Sequence, residues 1–226
     1  MELKWYGQAC FLVTAGDGTM IVTDPYTPET AGYCPVRETP DVVIRSSDND
    51  DFHCRADLVP GDPVVLTALD VARAGGSQEA HGITFHCIEA MEALNHRFHD
   101  PDQNGMYRFE VDGVSVGHMG DVGNPLSPAQ IDFFRDVDVL LALTGGHPTI
   151  ELDDLMTVIN EARPKVVVPM HFRTLSYRPR GIYWLPAFLE YFNEDEDVDF
   201  ALDYEAVITR GSLPDRTRVL VLDYVK

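Results

Sequence analysis

The most constraining stretch of this chain lies in its second half. Val137–Leu143 is a nearly unbroken apolar run, Gly145-Gly146 follows, Leu152, Leu155, Met156 and Ile159 recur at helical spacing, and Val166–Pro169 is apolar again. A buried strand, a one-faced helix and a second buried strand make a βαβ unit, which needs a parallel sheet with a helix on its face. The first half reads differently. Cys10–Val13 and Met20–Val22 flank Gly16-Asp17-Gly18, and Met106–Val111 and Val114–Gly117 flank Asp112-Gly113. Both are hairpin signals, because such turns need residues that tolerate positive φ. Further strands are expected at Asp41–Ile44, Pro63–Leu66, Ile83–Ile88, Glu205–Thr209 and Arg218–Asp223, with helices at Ser127–Phe134 and Trp184–Phe192. The acidic run Glu194–Asp197 reads as a solvated loop. Hairpins first and α/β later, with strands at both ends, predict sheets sandwiched between helices in one domain spanning 1–226.

Charge narrows the partners. Lys plus Arg number 17 against 37 Asp plus Glu, a formal net charge of −20. So acidic a surface repels nucleic acid and anionic membranes, which leaves a small molecule as the expected substrate. Homo-oligomerisation stays open. The four cysteines form no CxxC pair and read as reduced thiols of a cytoplasmic protein. The only early apolar run, Cys10–Ala15, is too short for a signal peptide or a membrane span.

Chemistry in such a fold belongs at strand ends. Three apolar strands run into His118-Met119-Gly120-Asp121, Gly145-Gly146-His147 and Met170-His171. Imidazoles and a carboxylate presented from neighbouring strand ends suit a divalent cation.

In combination these segments resemble the metallo-β-lactamase-fold superfamily, in particular the ascorbate-6-phosphate-lactonase-like metal-dependent hydrolases. The resemblance is carried by Trp5-Tyr6-Gly7-Gln8-Ala9-Cys10-Phe11, Thr23-Asp24-Pro25, Asp41–Ile44, His118–Asp121, Gly145-Gly146 and Lys165–Phe172. It implies an α/β fold, an αββα four-layer sandwich of two mixed sheets with a metal site at one edge. It also implies Asp121 as a metal carboxylate, His171 as the last ligand, Asp24 behind the ligands and His118 as a supporting residue.

The family's His-x-His-x-Asp-His loop departs from the pattern. Here it reads Ser47-Asp48-Asn49-Asp50-Asp51-Phe52, so that by this matching only Asp51 is kept, with Asn49 left behind the site. The next family histidine falls near Met91-Glu92. A dinuclear zinc centre is therefore not expected, and the choice is one divalent cation (zinc, manganese or iron) or none. Asp51, Asp121, His171 and His147 are the expected ligands, with Asp51 and Asp121 as candidate catalytic carboxylates. His53, Glu92, His96 and His99 could add a donor. No ligand spacing supports the three histidines, which read as loop residues, hydrogen-bonded locally or solvated. Arg173, Arg178 and Arg180 follow His171 closely. Arg173 and Arg178, with His118, are the expected contacts for an anionic substrate group. The function implied is hydrolysis of a small ester, lactone or phosphoester. The alternative is a ligand-binding protein that has given up the metal.

Overall fold

The computed structural model describes residues 1–92 and 104–226. In chain order the elements are β1 (Glu2–Gly7), β2 (Cys10–Thr14), β3 (Met20–Thr23), α1 (Pro28–Ala31), β4 (Val42–Arg45), β5 (Val64–Thr67), α2 (Ala68–Arg73), β6 (Ser77–Ala80), β7 (Ile83–Ala90), β8 (Asn104–Val111) and β9 (Val114–His118). Then come α3 (Pro128–Phe133), β10 (Val139–Leu143), α4 (Leu152–Ala162), β11 (Val166–Met170), α5 (Pro186–Leu189), α6 (Glu194–Asp197), β12 (Val198–Phe200), β13 (Glu205–Val207) and β14 (Arg218–Val221). Two mixed sheets result, ordered β13-β1-β2-β3-β4-β5 and β12-β14-β11-β10-β9-β8-β7-β6.

The period-two rule explains the first sheet. Phe11, Val13, Ile21, Val42 and Ile44 enter the central core, while their neighbours Cys10, Leu12, Val22 and Val43 enter a second core on the opposite face. A strand buried on both faces has no polar side, which is why these segments read as continuous apolar runs. The β2–β3 hairpin forms as expected, with Leu12 opposite Val22. The β8–β9 hairpin turns at Asp112 and Gly113, whose φ of 53° and 75° are those of the expected turn.

In the second sheet, β10 and β11 pair in parallel from Val139–Val166 to Leu143–Met170. The connecting α4 buries Leu152, Leu155, Val158, Ile159 and Ala162 and leaves Met156 half-buried, so the βαβ unit forms as expected. Ser127 and Gln130 cap α3 reciprocally. Two expectations change. Helix over Trp184–Phe192 shortens to Pro186–Leu189, and Glu194–Asp197, expected as a loop, forms one exposed helical turn. Among the described residues, no helix is long and apolar enough to cross a membrane.

Candidate metal centre

The carboxyl ends of β4, β9 and β11 meet at one edge of the sandwich. They bring together His53, Asp121 and His171, whose ligand-capable atoms all lie within 4.8 Å of one another. The His171 Nε2 atom is 3.2 Å from Asp121 Oδ1, and His53 Nδ1 is 3.5 Å from Asp121 Oδ2. The two imidazoles stack nearly parallel, 5.5 Å apart. Both are buried, and Asp121 Oδ1 beside them has no hydrogen-bond partner. An unpartnered buried carboxylate oxygen is costly unless something else satisfies it. A divalent cation among the Asp121 carboxylate, His53 Nδ1 and His171 Nε2 would do so, and a His₂–carboxylate donor set is suitable for one.

Each ligand is held by local backbone chemistry. His171 sits at φ 54°, and its N–H donates to the Gln8 carbonyl at 3.0 Å. Gly145 lets that turn pass, since a Cβ there would lie 2.0 Å from the His171 carbonyl oxygen. The Asp121 N–H donates to Asn104 Oδ1 at 3.0 Å. The preceding Gly120, at φ 62°, packs where a Cβ would meet Asn104 and Ser46. His53 is turned inward by Asp50, whose carboxylate accepts the His53 N–H at 2.7 Å and faces its Nδ1 at 3.3 Å.

Beneath the ligands lies a buried polar layer. Asp24 accepts the Ser46 N–H at 2.7 Å and the Ser46 hydroxyl at 2.6 Å, and the Tyr107 hydroxyl at 3.3 Å. His118 accepts the Gly120 N–H at Nδ1, which places its own proton on Nε2, toward the Ala9 carbonyl at 2.9 Å. Burial pushes the His118 pKa down to about 3, consistent with that neutral tautomer.

Electrostatics at the cluster oppose one another. Burial works against the charge on His53, but Asp121 and Asp50 outweigh it and raise its pKa to about 10. Burial likewise opposes ionisation of Asp121, and the facing His53 and His171 still hold its carboxyl below the ordinary range. Asp24, buried beneath, is pushed up to about 7 despite His53 and Ser46. The signs for protein stripped with EDTA follow. Asp24 binds its proton more tightly folded than unfolded (about 7 against 3.8), so its contribution is lost as pH rises through 7. His53 (about 10 against 6.5) gives stability present below 6.5 and lost as pH rises through 10. Asp50 and Asp121, both depressed, lose theirs in acid. The melting temperature in EDTA should therefore peak near pH ~4 and fall toward pH ~9. Thermal melts across that range check it, and a profile rising to pH ~9 would contradict it.

The structure joins Asp121 and His171 as expected, with Asp24 behind them, and redistributes the rest. His53, expected as a loop histidine, is a buried member of the cluster. Asp51, expected as ligand and catalytic carboxylate, points away. Its side chain is 54% exposed, paired with Arg55 at 3.0 Å and the Thr27 hydroxyl at 2.8 Å. The Asp50 carboxylate caps the backbone of Phe52 and His53, so the loop delivers Asp50 and His53 inward and Asp51 outward. His147 is exposed because Gly145-Gly146 pack against His171 and the Tyr183 ring. His118, expected to touch substrate, is fully buried in the hydrogen-bonded layer. Asn49 bonds Ser47 at 2.8 Å and lines the outer cleft. His96 and His99 lie outside the described residues.

The expected arginines also move. Arg173 stacks over Trp184 at 5.1 Å, and Arg178 donates to the Glu29 carbonyl at 2.6 Å. Neither lines the pocket over the cluster; Arg180 does. That pocket, about 210 Å³, is lined by Phe52, Pro148, Tyr177, Pro179 and Ile182 together with Glu92, His53, Asp121 and His171. Arg180 belongs to the arginine cluster expected after His171, but Arg173 and Arg178 were the members expected at the substrate.

The family model for the beta-lactamase superfamily domain matches residues 2–171. Curated relatives include the UPF0173 protein of Pyrococcus furiosus, 28% identical over 188 residues that cover 78% of this chain and 85% of that one. The UPF0173 metal-dependent hydrolase of Myxococcus xanthus is 25% identical over 198 residues, covering 76% and 71%. Among solved structures, a Thermotoga maritima protein of the metallo-beta-lactamase superfamily aligns over 99% of both chains with TM-score 0.77 and 28% identity. A Parabacteroides distasonis protein, at 11% identity and TM-score 0.68, shares the fold. With three quarters of its length inside the matched domain and two mixed sheets meeting at the His53–Asp121–His171 edge, the chain belongs to the metallo-β-lactamase superfamily.

Proposed function

We propose that this protein is a metal-dependent hydrolase of a small ester, lactone or phosphoester, working through one divalent cation held by His53, Asp121 and His171. The observation that carries this reading is the convergence of two buried imidazoles on one largely buried carboxylate whose Oδ1 has no hydrogen-bond partner. Relatives named metal-dependent hydrolases, such as that of Myxococcus xanthus, support it. The cation would supply a Lewis acid that polarises the scissile carbonyl or phosphoryl group and acidifies a water.

The chain's own groups do the remaining work. Asp50 fixes the His53 ring. Phe52, Pro148 and Ile182 give the pocket apolar walls that exclude bulk water and limit substrate size. Arg180 has no side-chain partner among the described residues, so its guanidinium is available to a carboxylate or phosphate on the substrate. The net charge of −20 makes such a cation distinctive at this rim, and it disfavours a polyanionic substrate.

Metal analysis of purified protein, followed by a hydrolysis screen of lactones, carboxylic esters and phosphoesters, tests the reading. One equivalent of metal and turnover of a subset of these are expected. Arg180→Ala should raise KM about tenfold for anionic substrates, with kcat little changed and neutral analogues unaffected. Absence of both metal and turnover under all loading conditions would sink it.

One observation favours the binding-protein alternative: where the resembling family places histidines, Ser47 and Asn49 satisfy each other. Stabilisation by small anionic metabolites in EDTA, without turnover, would support that reading instead.

A further inference from the structure

The backbone of Gln8 serves the fold, and its side chain serves something else. Gln8 makes the turn between β1 and β2 at φ 55°, in the left-handed region that favours glycine, asparagine or aspartate. Its carbonyl accepts the Trp5 indole N–H at 3.1 Å and the His171 N–H at 3.0 Å, which fixes the turn from two sides. The preceding Gly7, at φ 115°, lies so close to the Tyr33 ring that a Cβ there would come within 2.5 Å of it. The main chain makes all of these contacts, and the Gln8 amide makes none of them.

The amide instead lines the pocket over the cluster, with His171, Tyr177 and Arg180. Gln8 is only 1% exposed, and its Oε1 atom has no hydrogen-bond partner. The side chain also hydrogen-bonds the Tyr177 hydroxyl in the sense that favours the phenolate, so the amide nitrogen is the donor there. That bond orients the amide and leaves its oxygen idle. A buried amide oxygen without a donor is unfavourable, and a ligand that brings one in relieves it. The Thr149 hydroxyl, which lines the same pocket, already donates to the Gly146 carbonyl at 2.8 Å.

We infer that Gln8 Oε1 is a specificity-determining acceptor of this pocket, which reads an uncharged O–H on the ligand. An ammonium donor would be drawn to the Asp121 carboxylate, whereas a neutral amide oxygen suits a neutral hydroxyl. Arg180 faces the same space of about 210 Å³, which holds only a small molecule, so the hydroxyl and the anionic group lie within a few bonds of each other. The class selected is a small hydroxy acid, or the ester or lactone that releases one. The inference rests on the reading proposed above in taking this pocket as the ligand's place, and the experiment separates the two.

Full-length protein, as purified and after stripping with EDTA and dialysis, is titrated with 2-hydroxybutyrate, 2-methoxybutyrate and butyrate, and affinities are read from the rise in melting temperature. The stripped sample removes chelation as a source of any hydroxyl effect. In both samples 2-hydroxybutyrate should bind about tenfold more tightly than the other two. Gln8→Met, close in shape but without the acceptor, should bind all three alike. Gln8→Glu keeps an acceptor beside Arg180, so it should bind all three more weakly and still prefer the hydroxyl. Equal binding of the three by stripped wild type, binding of none, or a preference that survives Gln8→Met overturns the inference and leaves metal content and turnover as they were measured. The wild-type comparison decides this even where a variant fails to fold. A protein that has neither metal nor turnover but keeps the preference, and loses it in Gln8→Met, upholds Gln8 as the ligand contact while the hydrolase reading fails.

Discussion

Asp121→Asn should abolish both metal binding and hydrolysis. Asp121 is the one carboxylate that faces both imidazoles, at 3.2 Å from His171 and 3.5 Å from His53. An amide of the same shape can still accept the Asn104-side packing but brings no charge. It turns one of the two facing atoms into a donor, which then opposes any imidazole N–H or cation. Changes to groups that merely support ligands cost about 10–100-fold in metal affinity or activity. Loss of the shared ligand should exceed that range. The backbone of residue 121 stays anchored by its N–H to Asn104, so the fold should persist. Titration with zinc and manganese, and turnover on the best substrate of the screen, measure the effect. Retention of more than about a tenth of wild-type affinity would move the centre of the site away from Asp121.

Trp5→Ala should be the most damaging substitution away from the cluster. Trp5 is fully buried and packs on Phe172 at a 5.0 Å ring separation, with Phe11 and Tyr224 each at 6.2 Å. Truncating a buried aromatic of this size costs about 3–5 kcal/mol. The effect should also reach the site, because the Gln8 carbonyl accepts both the Trp5 indole N–H, at 3.1 Å, and the backbone N–H of His171. Removing the indole frees the Gln8 turn, which in turn loosens His171. Trp5→Phe keeps most of the packing and removes only the hydrogen bond, so it should lose about 1 kcal/mol more than packing alone predicts. Urea melts of the two variants, with metal titration of Trp5→Phe, distinguish packing from positioning. Equal stability of Trp5→Ala and wild type would contradict this account of the core.

The residues that were legible in the sequence are those whose role follows from strand periodicity. His171 comes directly after β11, and Asp121 follows three residues beyond the end of β9. His53 was not legible, because its position depends on the path of a loop. The Asp50 carboxylate caps two backbone N–H groups, which turns His53 inward and leaves Asp51 facing outward. Matching by sequence spacing therefore selects Asp51 and Phe52, while the fold selects Asp50 and His53. β1 was missed as a strand for a different reason. Its Leu3 and Trp5 alternate with polar Glu2 and Lys4, but only pairing with β2 and β13 makes the alternation visible. β6, Ser-Gln-Glu-Ala, carries too few apolar residues to announce itself, and α2 is too short, at six residues, to show a helical period.

His53 comes from the β4 side of the first sheet, whereas Asp121 and His171 come from the second. A cation bound by all three is thus a removable rivet between the two halves of the sandwich, joining segments far apart along the chain. Such a bond restricts the unfolded ensemble much as a long-range covalent bridge does. In a chain without a disulfide among its four cysteines, a cation bound there would make the metal supply of its surroundings a control on how long the protein lasts.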